Sequence, residues 1–104
     1  MTEYRLYLGR NIAGCLQGVT QKQFETFLEF EVVPRFPSFS LSSIRGYWRG
    51  KHELTSVLQV ITEKHRAFED LKRIGENYRM SFSQESVLLV SNEATMFSIE
   101  GSPI

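Results

Sequence analysis

The sequence predicts an α+β fold, an antiparallel sheet carrying two helices on one face. Three observations predict it. The apolar period changes from two to three or four and back at each segment boundary. The segments run strand, helix, strand, strand, helix, strand. The chain of 104 residues, 41% apolar and 23% charged, suits one compact unit spanning 1–104 with a modest core.

Tyr4 to Gly9 opens the order: Tyr4, Leu6 and Leu8 alternate with Arg5 and Tyr7, which reads as a strand. Asn11 to Gly18 holds two glycines and breaks the pattern, so a loop is expected. Thr20-Gln21-Lys22-Gln23 has capping-box spacing, with the Thr20 hydroxyl positioned to accept from the Gln23 amide. Phe24, Phe27 and Leu28 follow at helical spacing. Pro34 and Pro37 disfavour helical geometry at the residues before them, so this helix, Thr20 to Val33, ends near Val33. Leu41 to Arg49 and Leu54 to Thr62 read as a hairpin turning at Gly50-Lys51-His52. A second helix is expected from Thr62 to Phe82, its stripe made of Phe68, Leu71, Ile74 or Gly75, Tyr78 and Phe82. Ser86 to Val90 returns to strand, Ser91-Asn92-Glu93 reads as a turn, and Thr95, Phe97 and Ile99 alternate as a short fifth strand.

This order is the ferredoxin-like βαββαβ arrangement, with right-handed crossovers placing strands 1 and 3 at the centre. Strand 3 is apolar on both sides, with Val57 and Ile61 against Leu58 and Val60. Strand 4 is alike, with Leu88 and Val90 against Val87 and Leu89. Strands apolar on both faces are usually covered on both, and one layer of helices covers only one. A homodimer through the open sheet face, associated in the manner of a dimeric α/β barrel, is therefore expected.

Four blocks occur in order along the chain: Arg5-Leu6-Tyr7-Leu8-Gly9, Val33-Pro34-Arg35-Phe36-Pro37, Gly46-Tyr47-Trp48-Arg49, and Tyr78-Arg79 through Phe82 to Gln84-Glu85-Ser86-Val87-Leu88. Together they resemble a bacterial family of small proteins designated only as a domain of unknown function, number three-five-seven-four. Ser38-Phe39-Ser40-Leu41 departs from that family's Asp-Gly turn, and Glu53-Leu54-Thr55 from its Glu-Arg-Ser-like run. The resemblance implies the fold and carries no catalytic residue.

Several function classes lose their support. Net charge is zero, so no global field favours nucleic acid or an anionic membrane. No apolar run approaches the roughly 20 residues of a membrane span, and the strand pattern begins at once, leaving no room for a signal peptide. With Cys15 the sole cysteine, no internal disulfide forms and a cytoplasmic setting is expected. His52, His65, Cys15 and Asp70 show no ligand spacing, so no metal and no cofactor is expected. Cys15 beside Gly14 is more simply a small loop residue than a nucleophile. Gly9, Gly14 and Gly18 lack phosphate-loop spacing. Strand 3 lacks the aromatics that RNA recognition on this topology requires.

The best functional lead is Pro34 to His52, which holds Arg35, Arg45, Arg49, Lys51 and His52, four aromatics and no acid. An ordinary outer strand explains it most simply, its basic side chains covering apolar surface and Trp48 in the core. A binding role instead takes Arg45, Tyr47 and Arg49 on one strand face, with Arg5 and Tyr7 lining the same cleft for a small anionic ligand. Glu53 beside His52 is set aside as an acid–base pair, because neighbours on a strand point to opposite faces. Three functions follow: a non-catalytic dimeric assembly or small-ligand-binding module, a cofactor-free enzyme of the dimeric α/β-barrel kind acting on a small anionic or aromatic substrate, or weak single-strand nucleic-acid binding through the basic hairpin. The first is preferred.

Overall fold

Four antiparallel strands form one sheet in the order β2-β3-β1-β4, so β1 (Thr2–Gly9) and β3 (Lys51–Thr62) lie inside, and β2 (Ser40–Trp48) and β4 (Leu88–Glu93) form the edges. The computed structural model describes residues 1–12 and 14–101. Ala13, within the loop expected over Asn11–Gly18, lies outside the described residues.

Register decides the faces. Leu6 pairs with Leu58 and Leu89, and Tyr4 with Val60, placing these side chains on one face. There Leu6, Leu8, Leu58 and Val60 pack with Phe24, Phe27 and Val32 of the first helical segment and with Leu71, Ile74 and Tyr78 of the second. Arg5, Tyr7, Val57, Gln59, Leu88 and Val90 share the opposite, open face by the same register. Strands 3 and 4 thus carry apolar residues on both faces.

The first helix begins at the expected cap. α1 (Gln21–Phe27) follows Thr20, whose hydroxyl accepts from Gln23 N while the Gln23 side chain accepts from Thr20 N. It continues as a π-helical turn, Leu28–Val32, with Val33 N donating to Leu28 O at 2.9 Å. A physical reason lies in the sequence. Uninterrupted α-helical spacing would direct Glu31 inward after Phe24, Phe27 and Leu28. The wider turn brings fully buried Val32 to the core instead. Glu31 moves to the edge, where it accepts from Asn77 and Arg35.

The second helix, α2 (Ala67–Ser81), starts five residues later than expected. β3 continues through Thr62 because Thr62 pairs with Thr2, and Arg66 then enters the helix in the left-handed region, at φ 66°. This changes the buried stripe: Ala67 faces the core and Phe68 is 49% exposed. Gly75 lets the helix approach closely, since a Cβ there would lie 3.3 Å from Leu6 Cδ1 and 3.4 Å from Val87 Cγ1.

Three other boundaries differ. The hairpin turns at Arg49-Gly50, with Trp48 already paired to Lys51. Both turn residues have positive φ, 51° and 79°, the backbone of a tight two-residue turn whose twist matches the strands. Lys51 and His52 therefore belong to β3. Ser91, Asn92 and Glu93 form no turn, because they pair with Tyr4, Glu3 and Thr2 and extend β4. The short fifth strand over Thr95–Ile99 does not form: 94–101 has no regular structure, and Phe97 and Ile99 are exposed. Alternation alone did not supply a neighbour with free backbone groups.

These burial differences can be measured. Ile74→Ala should lower unfolding free energy by about 2–5 kcal/mol through lost transfer energy and a cavity, whereas Phe68→Ala should change it by no more than about 0.5 kcal/mol. Urea denaturation showing equal losses would contradict the placement of the helix.

Candidate functional site

The hairpin tip and the loop after α2 meet over the open face. Trp48 Nε1 donates to Glu85 Oε2 at 3.0 Å, and Arg49 Nη2 pairs with Glu85 Oε1 at 2.7 Å. One carboxylate thus holds two successive residues of a turn 36 positions away in sequence. Next to it, Gln84 Nε2 donates to Asn11 O at 2.8 Å and to Phe82 O at 3.1 Å, orienting its side-chain oxygen the other way. Ser83 makes the preceding bend at φ 51°.

Beneath these contacts lies a cleft of about 910 Å³, lined by Tyr7, Gly9, Ile44, Trp48, Glu53, Thr55, Gln84, Glu85 and Leu88 among others. Gly9 forms part of its floor, and its lack of a side chain leaves room for the ends of two flexible side chains. A Cβ there would overlap the Glu53 carboxylate and stand 2.7 Å from Gln84 Oε1.

The electrostatics of the cleft are uneven. Glu85 is engaged by Trp48 and Arg49. Glu53, half-buried, has no hydrogen-bond or ion-pair partner among the described residues. Behind the floor, the buried Tyr78 hydroxyl donates to Gly9 O at 2.6 Å. Burial pushes the Tyr78 phenol well above its ordinary value; Arg10 opposes the shift and Glu53 adds to it. Arg10 is held by Ser56 Oγ and Val19 O and stacks 4.4 Å from the centre of the Phe24 ring. Its Nε is buried without a partner among the described residues.

The five expected ligand residues do not gather on one face. Arg5 and Tyr7 lie on the open face, beside a shallow depression of about 280 Å³ shared with Ser40, Val57 and Gln59. Arg45 pairs with Leu54, and Tyr47 with His52, so both belong to the opposite face of the hairpin by register. Tyr47, like Tyr7 and Arg49, still reaches the lining of the 910 Å³ cleft at the hairpin tip. Arg49 is in the turn. The alternation inside β2 holds, with Ile44, Gly46 and Trp48 sharing a face, but that face joins Arg5 and Tyr7. The arginines are also engaged: Arg5 pairs with Glu3 at 3.3 Å and Arg49 with Glu85. Tyr7 and then Glu3 raise the Arg5 pKa above its ordinary value. Trp48 is 50% exposed at the cleft and outside the core.

Cys15 is exposed in its loop. Among the described residues no group of His, Cys, Asp and Glu could hold a metal ion, and no helix is long and apolar enough to cross a membrane. Glu53, Gln84 and Glu85 supply side-chain acceptors to a lining that also holds Arg49, Lys51 and His52, and sequence reasoning did not single the three acceptors out as a site. A signal was present, because three of the four blocks quoted above, those containing Tyr7-Leu8-Gly9, Tyr47-Trp48-Arg49 and Gln84-Glu85-Ser86, supply lining residues.

The chain belongs to the family described as "Protein of unknown function (DUF3574)", whose model matches residues 3–97. No curated protein sequence matches it. Among solved structures it is similar to a phage SAM lyase in complex with S-methyl-5'-thioadenosine, at TM-score 0.69 and 21% identity over 88% of this chain and 80% of that one. The phage SAM lyase in its apo state gives TM-score 0.68 and 22% identity over 88% and 78%. A protein from Arabidopsis thaliana gives TM-score 0.52 and 12% identity over 93% and 99%. At these identities the likeness is one of fold.

The Tyr78 bond predicts an alkaline weakening. A phenol whose folded pKa exceeds its unfolded value of about 10 stabilises the fold fully below pH 10 and loses that contribution as pH rises further. Wild-type stability should then fall by at most about 1.4 kcal/mol per pH unit from this group. Tyr78→Phe should start about 1–3 kcal/mol lower at neutral pH, with the Gly9 carbonyl unpaired, and lack that component of the slope. Parallel alkaline curves for the two proteins in urea melts would refute the assignment.

Proposed function

We propose that the protein is a cytoplasmic, small-ligand-binding module of ferredoxin-like order, forming one domain over 1–104 and pairing with a second copy through its open sheet face. The observation that carries the ligand-binding reading is the cleft. Segments around Tyr7, Trp48 and Gln84-Glu85, distant in sequence, meet there, and Glu85 holds the hairpin tip in place. A cavity with a few convergent polar groups and flat apolar walls is the usual form of a small-molecule site. The strand order with β1 and β3 inside supports the fold assignment. Val57, Ile61, Leu88 and Val90 on the uncovered face support self-association, and a second copy there would also roof the cleft.

A second reading makes the same cleft a cofactor-free active site. Glu53 favours it, as a half-buried carboxylate without a partner among the described residues and within reach of a bound molecule. The likeness to a phage SAM lyase, an enzyme solved with S-methyl-5'-thioadenosine, supports the same reading. The placement of Arg45 on the other face removes one of the groups expected to hold an anionic substrate, whereas Tyr7, Tyr47 and Arg49 line the cleft. Nothing in the arrangement favours nucleic acid.

A thermal-shift screen with S-methyl-5'-thioadenosine, other nucleosides, carboxylates and phosphates tests the cleft. A ligand at 100 times its Kd should add about 2.7 kcal/mol of stability. Glu85→Ala, which releases Trp48 and Arg49, should remove most of that gain. Conversion of SAM during the same screen would favour the enzyme reading; an unchanged gain in Glu85→Ala, or no stabilisation by any compound, would end the cleft reading. Light scattering should give twice the chain mass of 12.1 kDa, as symmetric dimers are the commonest closed assembly. A monomer mass across a wide concentration range would overturn self-association.

A further inference from the structure

The floor of the cleft carries a pairing that its own residues leave incomplete. Glu53 and Gln84 both present oxygens over Gly9, one overlapping the place of a missing Cβ and the other 2.7 Å from it. Gln84 cannot easily turn its amide round, because its nitrogen already donates to Asn11 O and Phe82 O. Its oxygen is therefore an acceptor, and an ionised carboxylate is acceptor-only. Two acceptors, one of them anionic, stand side by side with no donor between them among the described residues. Lys51, on the same strand face as Glu53, makes no ion pair with it. Close by, the Trp48 ring is oriented by the bond from its Nε1 to Glu85, and Tyr7 adds a second aromatic wall.

We infer that this cleft takes a flat ring bearing an amino or amidinium group, with the N–H donors seated between Glu53 and Gln84 and the ring against Trp48 and Tyr7. This rests on the small-ligand reading of the cleft and reverses the preference for anions expected from the arginines. The reason is charge allocation. Arg5 and Arg49 have carboxylate partners of their own, and Glu53 is the lining carboxylate left without one. A donor-bearing nitrogen satisfies both acceptors at once. A carboxylate in the same place would add a third acceptor and a second negative charge. Charge-assisted hydrogen bonds are roughly twice as strong as neutral ones, which gives the cationic group its advantage.

Benzamidine and benzoate share size and flatness and differ in the sign of their charge, so they separate the alternatives. Trp48 is the only tryptophan, and its fluorescence reports on the cleft alone. Benzamidine should change that signal saturably, and benzoate should require at least tenfold more ligand. Glu53→Gln keeps the shape, removes the charge and should weaken benzamidine at least tenfold without lowering the melting temperature. The comparison of the two ligands on wild-type protein decides the question even if that variant folds poorly. Benzoate binding as tightly as benzamidine would overturn the ligand class and leave the cleft standing. Unchanged benzamidine affinity in a folded Glu53→Gln protein would overturn the role of Glu53. Silence of Trp48 to both compounds also overturns the ligand class, and the nucleoside titration with Glu85→Ala then judges the cleft separately.

Discussion

The Tyr78 hydroxyl donates to the carbonyl of Gly9, and the positions of the core and the cleft both depend on that bond. Its ring is packed by Phe27 at 5.1 Å and Phe82 at 4.9 Å between centroids, with Phe24 further out at 6.2 Å. Edge-to-face and tilted pairs of this kind contribute about 0.5–1.5 kcal/mol each beyond their burial. The ring therefore ties α2 to α1, and the hydroxyl ties α2 to the end of β1. On the other face of β1 at that position lies the cleft, where Gly9 leaves room for Glu53 and Gln84. A shift of α2 along the sheet would break the bond and move the loop bearing Gln84 and Glu85.

That loop and the hairpin tip are coupled more weakly. The Arg49–Glu85 pair is solvent-exposed on both sides, and exposed pairs contribute about 0.2–1 kcal/mol. The indole hydrogen bond adds about 1 kcal/mol. Contacts of this size orient side chains without locking them, which suits a site that has to admit a ligand. The two-residue turn shortens the path between Trp48 and Lys51, and both then lie on the open face. A longer turn at Gly50-Lys51-His52 would have shifted β2 against β3 and moved Arg45 and Tyr47 to the open face, whereas Glu53 stays there because β1 fixes the faces of β3.

The contrast between Arg5 and Arg45 shows how the site depends on register. Within β2, alternation correctly separates Arg45 and Tyr47 from Ile44 and Trp48. Within β1 it correctly joins Arg5 and Tyr7. Whether those two sets share a face depends on β3, which lies between the strands and pairs Ser42 with Val57 and Val57 with Tyr7. One residue of slip would have brought the arginines together. The expected cleft read each strand correctly, and the register between the strands is what parts Arg45 from Arg5 and Tyr7.

The sequence by itself determined what local physics controls. Thr20 and Gln23 cap a helix through their own spacing, the alternation from Tyr4 to Leu8 makes a strand with one apolar face, and the aromatic stripe of α1 is buried as its period requires. Leu71, Ile74 and Tyr78 likewise announced the inner face of α2. The tertiary structure decided what depends on partners. Pairing with β1 extends β3 to Thr62 and β4 to Glu93, and packing swaps Ala67 for Phe68 at the core. A π-helical turn moves Glu31 out and Val32 in. The cleft belongs to the same class, because Gly9, Glu53 and Gln84 lie far apart in sequence and acquire a shared chemistry only when the sheet and the loop after α2 bring their atoms together.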